Sequence, residues 1–209
     1  MFGLSLQERI SRSYRWGLGL PERVVELSLA RGMYGAGDVL LDVGYAGSQR
    51  CHIEMLKTLP GDGLRIGIDP ERAPGWVAKH YDYCLRESVV FCSLGGDTVD
   101  LVWCISTLEH LPRMLWTEAV RQMVRVLKPS GRMLLTVPFG KAEEHAWGWN
   151  FDASMVDLVL KWMHGGRAEY FRHDEDVGWV PSERGDLSGV GYYDQNNAGA
   201  AAVAALMIG

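Results

Sequence analysis

Apolar residues change their spacing along this chain, and the changes mark out its elements. In PERVVELSLARGM, Val24, Val25, Leu27 and Leu29 form one broad apolar side. The leading Pro21 suits a first helical turn, where its missing N–H costs nothing. Residues 5–16 read as a shorter helix with mixed faces. From residue 39 the apolar positions bunch into short runs. VLLDVG (39–44), LRIGIDP (64–70), SVVFC (88–92), VDLVWCIS (99–106) and RMLLTVPF (132–139) read as strands buried on both faces, as in parallel sheets. Between them RCHIEMLKTL and MLWTEAVRQMVRVL (114–127) carry helical spacing, the second with Val120, Met123, Val124 and Leu127 on one face. KPSG stops that helix. Asp152 is placed to cap a helix ASMVDLVLKWM. AEYFRH and AAVAALMI read as two closing strands, and residues 140–151 as a loop.

Strand and helix alternate through the middle of the chain. This predicts an α/β fold with a doubly wound, mostly parallel sheet, right-handed crossovers and helices on both faces. In such sheets a ligand lies beyond the carboxyl ends of the strands, where the strand order reverses. The expected organisation is one domain over 1–209: N-terminal helices to residue 35, a ligand-binding core over 36–140, and a substrate-side loop with closing strands over 141–209.

Composition narrows the classes. Hydrophobic residues make up 47% and charged residues 22%, the balance of a folded globular chain. The formal net charge is -5, and Lys and Arg are scattered without a run. A basic stripe to neutralise phosphates is missing, which argues against a nucleic-acid partner. No apolar run nears the ~20 residues that span a bilayer, and the first residues lack the apolar stretch of a secretory signal. The four cysteines, Cys51, Cys84, Cys92 and Cys104, have no metal-ligand spacing and read as reduced thiols. A cytoplasmic protein without a metal is expected.

The candidate chemistry sits at strand ends. Asp42-Val43-Gly44-Tyr45-Ala46-Gly47-Ser48 follows the first strand, and its small residues let backbone approach a ligand closely. The same run also suits an ordinary strand-to-helix turn, and it is not GxGxxG, which argues against a nicotinamide dinucleotide. Asp69, ahead of Pro70, ends the second strand, where an acid can accept both hydroxyls of a ribose. Ser106, Thr107, Glu109 and His110 follow the fourth strand. His110, and His145 in the loop after the fifth, are the candidate general bases. Trp147, Trp149 and Phe151 either wall a substrate pocket or anchor the loop. Acidic clusters at Glu143-Glu144 and Asp174-Glu175-Asp176 suit a solvated face or, more sharply, a cationic or sugar-like substrate.

The series LDVGYAGS, GIDP, CISTLEHL, RVLKPSGRMLLTVPFG and AVAALMIG resembles the class I S-adenosylmethionine-dependent methyltransferases, closest to the small-molecule group called methyltransferase type 11. The resemblance covers about residues 22–209. It implies a Rossmann-like, seven-stranded sheet whose last strand, residues 201–208, runs antiparallel. It implies that Gly44 to Ser48, with Asp42, hold the methionine part of S-adenosylmethionine and that Asp69, beside Pro70, holds the ribose. Ser93 or Leu94 would lie near adenine, Ser106 and Thr107 would line the cofactor pocket, and Glu109 and His110 would sit nearer the substrate. Two departures stand out: Ala46 and Ser48 replace the usual glycines, and the acid expected near adenine after the third strand is missing. The position that carries a second acid in magnesium-dependent relatives is Ser106, so no metal cage is expected. The function implied is biosynthetic methyl transfer to a small molecule, to a hydroxyl of a sugar or secondary metabolite, with a homodimer left open. The alternatives are methyl transfer to an amine, and a degenerate member that binds without turnover.

Overall fold

A computed structural model describes residues 22–146, 148–192 and 200–209. The helix expected over 5–16, Pro21 and Trp147 lie outside the described residues. The first described helix, α1 (Arg23–Met33), buries Val24, Val25, Leu27 and Leu29 as the pattern predicts, and Glu26 with them. The parallel strands are β1 (Leu40–Val43), β2 (Arg65–Ile68), β3 (Tyr83–Leu85), β4 (Val99–Ile105) and β5 (Leu127–Pro138). The helices between them are α2 (Arg50–Leu56), α3 (Gly75–Ala78) and α4 (Trp116–Val126). After β5 come a hairpin of β6 (Glu143–His145) and β7 (Gly148–Asn150), helix α5 (Ala153–Trp162), and strands β8 (Arg167–Asp174), β9 (Gly178–Ser182) and β10 (Ala202–Ile208).

The main sheet has eight strands in the order β3-β2-β1-β4-β5-β10-β8-β9. Neighbours from β3 to β5 pair in parallel, and β10 runs antiparallel to both β5 and β8. The strand order reverses between β1 and β4, so their carboxyl ends open a crevice. Both faces are buried. On β4, Leu101, Trp103 and Ile105 pack toward α1 and α2, while Val102 and Cys104 pack toward α4 and α5.

Four expectations need correcting. SVVFC is not the third strand. Val89–Phe91 forms a 3-10 turn capped by Ser88, whose Oγ accepts from Val90 N at 3.3 Å. The third strand lies earlier, at the sheet edge, where Tyr83 and Cys84 are exposed and no apolar run forms. The sheet has eight strands rather than seven, because β9 folds back on β8 as an edge hairpin. Residues 140–151 are not a plain loop, since β6 and β7 pair Glu143 with Asn150 and His145 with Gly148. KPSG lies within β5, whose first residue, Leu127, already pairs with Val99. Asp152 caps α5 as expected, its carboxylate accepting from Met155 N at 2.9 Å.

Candidate active site

A cavity of about 610 Å³ opens at the reversal point, within the size range of small-ligand sites. The turn after β1 builds its floor. Gly44 stands at φ 83°, and a Cβ there would come within 2.3 Å of Thr107 Oγ1. Only glycine fits that position. Thr107 Oγ1 donates toward Val43 O at 3.1 Å and Ile105 O at 3.0 Å, so it clasps the ends of β1 and β4 together. Residues 45–47 form a 3-10 turn and α2 follows at Arg50. Gly47 has open space where a side chain would be.

Asp69 ends β2 at the cavity wall. Its Oδ2 accepts from Ala46 N at 3.2 Å and its Oδ1 from Glu71 N at 2.8 Å. Burial raises its pKa, the two backbone donors oppose that rise, and the charges of Glu71 and Asp42 add to it. Asp42 is buried deeper. Its Oδ2 accepts from the Tyr81 hydroxyl at 2.5 Å and lies 3.0 Å from His52 Nε2. His52 Nδ1 is in turn 3.4 Å from Ser48 Oγ. This polar chain braces the turn that carries the altered glycine positions.

Most of the predicted cofactor residues share this cavity: Asp42, Gly44, Ala46, Gly47, Ser48, Asp69, Pro70, Ser106 and Thr107 all line it. Tyr45 does not. Its ring packs over Gly67, where a Cβ would meet it at 2.5 Å, and stands edge-on to Tyr81 at 4.8 Å. Ser93 and Leu94 are also outside the lining. Ser93 is tied to Glu87 through two 2.8 Å bonds, and Leu94 O accepts from Arg125 of α4. Ser88 and Val89 occupy the wall instead. That shift follows directly from the earlier placement of β3.

The candidate bases separate. His110 lines the cavity and is exposed. His145 lies off it, on the β6–β7 hairpin, stacked on Tyr192 with ring centroids 3.7 Å apart. Burial lowers the His145 pKa, Glu143 opposes this, and the nearby His110 adds to it. Gly148 of β7 backs onto the 108–110 turn, so close that a Cβ would meet Glu109 O at 2.5 Å and His110 Nδ1 at 3.3 Å. Glu109 does not line the cavity. It is buried just beneath, between lining residues Thr107 and His110.

The aromatic residues of the hairpin divide too. Phe151 is core, stacked on Trp116 at 4.4 Å. Trp149 is half-buried, edge-on to Trp116, with the Arg113 guanidinium 5.7 Å above its ring. Asp174 closes the β8–β9 turn by accepting from Asp176 N and Val177 N, which favours the solvated reading of that acidic cluster. Among the described residues no group of His, Cys, Asp and Glu is arranged to hold a metal, and no helix is long and apolar enough to cross a membrane.

Pattern reasoning missed Arg23, His52, Ser88 and Val89, all on the cavity wall. Arg23 was legible in principle: Arg23 and Glu26 are spaced three apart on a helix whose face is otherwise apolar, the signature of a buried ion pair.

The comparisons with known proteins agree with this architecture. The family profile described as a methyltransferase domain matches residues 76–135. A ubiquinone biosynthesis O-methyltransferase from Photobacterium profundum is 23% identical over 163 residues, covering 75% of this chain and 68% of that protein. A 1,6-didemethyltoxoflavin-N1-methyltransferase from Burkholderia thailandensis, solved with 1,6-didemethyltoxoflavin and S-adenosylhomocysteine, shares the fold with a TM-score of 0.61 at 16% identity, over 87% of this chain and 75% of that one. An S-adenosylmethionine-dependent methyltransferase from Archaeoglobus fulgidus matches with a TM-score of 0.57 at 14% identity, over 94% and 96% of the two chains. The sheet order and the crevice at the β1–β4 reversal are thus those of the fold shared by these S-adenosylmethionine-dependent methyltransferases, and residues 76–135 match a methyltransferase domain.

Proposed function

We propose that this chain transfers a methyl group to a hydroxyl of a small molecule, with His110 as the base that takes the hydroxyl proton. The observation that carries the reading is the position of His110, on the wall of the same cavity as the Gly44 turn and Asp69. The donor set fits the cofactor. Asp69 offers a carboxylate for ribose hydroxyls, and the Gly44 turn leaves room for close backbone approach. Ser88 and Val89 offer the wall beside which adenine would lie, in place of Ser93 and Leu94. Arg23 stands on the same wall, its guanidinium paired with Glu26.

When bound, the cofactor supplies an activated methyl group on a sulfonium. The protein then has two tasks. It aligns the nucleophile with the methyl carbon, and alignment alone supplies roughly 7–11 kcal/mol in favourable cases. It also removes the hydroxyl proton, for which a placed His typically contributes about 10²–10⁴ in rate. His145 is the second candidate for this task, held beside His110 by the hairpin, with its pKa lowered by burial. The O-methyltransferase named among the relatives supports a hydroxyl acceptor. The N-methyltransferase among the structural neighbours supports the second reading, an amine acceptor that needs no base. A sugar or secondary-metabolite hydroxyl is the finer expectation.

Thermal shift with S-adenosylhomocysteine tests the cofactor reading. A ligand at one hundred times its dissociation constant adds about 2.7 kcal/mol to stability. A clear rise in Tm with S-adenosylhomocysteine and none with NADH is expected. The reverse pattern overturns the proposal.

A further inference from the structure

Beneath the cavity wall, between α1 and the ends of β4 and β5, carboxyl groups outnumber cations. Glu22, Glu26 and Glu109 gather around one guanidinium, that of Arg23. Glu26 has no exposed surface, and both its oxygens are engaged. Oε2 lies 2.5 Å from Arg23 Nη1, and Oε1 accepts from Ser106 Oγ and Thr136 Oγ1 at 2.6 Å each. Ser106 makes this bond from a left-handed turn at φ 42°, a conformation a non-glycine residue holds only where its surroundings impose it. Arg23 and Ser106 both line the cavity.

Glu109 is the residue left over. It is fully buried, and its Oε2 meets no hydrogen-bond donor. Glu22, the residue that caps α1, also has a buried oxygen without a donor. The groups that face Glu109 are Glu22 at the cap of α1, Arg23 and Glu26 from α1, Cys104 from β4, and its own backbone N–H. From β7, Gly148 packs against the Glu109 carbonyl. Arg23 is already committed to Glu26, so Glu109 has no cation of its own. A buried carboxyl in that position keeps its proton. Burial pushes Glu109 up to about 8, with Glu26 and Glu22 adding and its own N–H and Arg23 opposing.

We propose that this cluster senses the charge on the cofactor: S-adenosylmethionine, bringing a sulfonium to the adjacent cavity, displaces the proton of Glu109 into solvent. This rests on reading the cavity as the S-adenosylmethionine site. The balance is simple. A neutral carboxyl plus a cationic sulfonium become a carboxylate beside a sulfonium, and one proton leaves. S-Adenosylhomocysteine carries a neutral thioether and displaces none. After methyl transfer the positive charge at sulfur is gone, and Glu109 takes a proton back. The product then loses the carboxylate that favoured its precursor, which promotes exchange of spent for fresh cofactor.

Titration calorimetry in two buffers of different ionisation enthalpy counts the protons released. At pH 7, S-adenosylmethionine should release close to one proton more from the wild type than from Glu109→Gln, and S-adenosylhomocysteine should release equal numbers from both. By linkage, the wild-type preference for S-adenosylmethionine over S-adenosylhomocysteine should rise at least about fivefold between pH 6 and 7.5. Glu109→Gln should flatten that rise, and the amide preserves the shape of a protonated carboxyl. Equal proton counts for the two ligands in the wild type overturn the proposal without any variant. Equal counts for wild type and Glu109→Gln with S-adenosylmethionine also overturn it. If S-adenosylhomocysteine itself fails to bind, the cofactor reading falls and this proposal with it. If it binds and the counts match, only the charge-sensing proposal falls.

Discussion

Gly44 lies directly against Thr107: a methyl group on its Cα would sit 2.3 Å from the threonine hydroxyl oxygen and 2.6 Å from its methyl carbon. Neither neighbour can yield, because Thr107 Oγ1 is held to the ends of both β1 and β4. The left-handed φ of 83° adds its own penalty for any side chain. Overpacking and backbone strain each cost about 1–3 kcal/mol. Gly44→Ala should therefore lower the denaturation midpoint and weaken S-adenosylhomocysteine binding together. A variant with wild-type Tm and wild-type affinity in calorimetry would remove the Gly44–Thr107 contact from the account.

Asp69 separates binding from folding. Its carboxylate already accepts two backbone donors, from Ala46 and Glu71, so the wall of the cavity is shaped before ligand arrives. Hydrogen bonds to a charged acceptor contribute about 1.5–3 kcal/mol each. Asp69→Ala should weaken S-adenosylhomocysteine by at least about tenfold. The raised pKa of Asp69 also sets a sign: affinity should fall as the solution is acidified through it, and the alanine variant should lose that dependence. Affinity measured at two pH values on both proteins checks this.

The parts of the fold that were legible are those where local pattern and burial agree. LLDV and VDLVWCI are apolar because both sheet faces are covered, so they announce central parallel strands. Edge positions break that link. Tyr83 and Cys84 face outward, so β3 has no apolar run, while Val89 and Val90 are apolar because a capped 3-10 turn pushes them into the core. That one misplacement put the expected cavity wall at Ser93 and Leu94, whereas Ser88 and Val89 line it. Of the β8–β9 hairpin only β8 was read, as AEYFRH; β9 was missed, since it is a short edge strand that is only partly buried.

The site was legible where residues lie close in sequence, and hidden where chain distance intervenes. Gly44 to Ser48 and Ser106 to His110 are local runs at strand ends. Glu26 meets Ser106 across 80 residues and Thr136 across 110, and no periodicity carries that information. Tyr45 illustrates the opposite limit. It sits inside the recognised run, yet the absence of a side chain at Gly67 lets its ring turn away from the cavity.

Glu26 should be costly to remove. It is a buried carboxylate satisfied by Arg23, Ser106 and Thr136, and breaking a buried pair costs roughly 3–5 kcal/mol because the partner charge is stranded. Glu26→Ala should therefore be destabilised on that scale in urea unfolding. Glu26→Gln keeps the side-chain shape and one acceptor oxygen for Ser106 and Thr136, and should lose less. Equal losses would mean that charge matters little and packing dominates.

Glu109 sets a pH dependence in the ligand-free protein. Its folded-state value, about 8, lies above its unfolded value, so between the two the native state binds more protons than the unfolded state. Stability from this group is fully present below the unfolded value and is lost as pH rises through the folded one. A difference of one proton corresponds to at most roughly 1.4 kcal/mol per pH unit. Urea midpoints should therefore drift downward from about pH 5 toward pH 8. Glu109→Gln should remove that part of the slope. An unchanged slope would show that Glu109 titrates normally in the fold.

His110 decides between the two acceptor chemistries. If the acceptor is a hydroxyl, His110→Ala should cut turnover by about 10²–10⁴ and leave S-adenosylhomocysteine affinity nearly intact, because only proton transfer is lost. The wild-type rate should then rise with pH as the base loses its proton, and the rise should vanish in the variant. If the acceptor is an amine, turnover should fall little. The pH dependence would follow the substrate amine and persist in the variant. His145 gives the internal control. It lies off the cavity wall, stacked on Tyr192, so His145→Ala should act through the position of the hairpin and disturb KM more than kcat. A pH–rate profile of wild type and both variants with an accepted substrate resolves these outcomes. A His110→Ala enzyme within about threefold of wild type across the range would remove it as the base. If His145→Ala then collapsed kcat at unchanged KM, the proton would pass to the hairpin histidine instead, and the hairpin would have to close over the cavity for the reaction to occur.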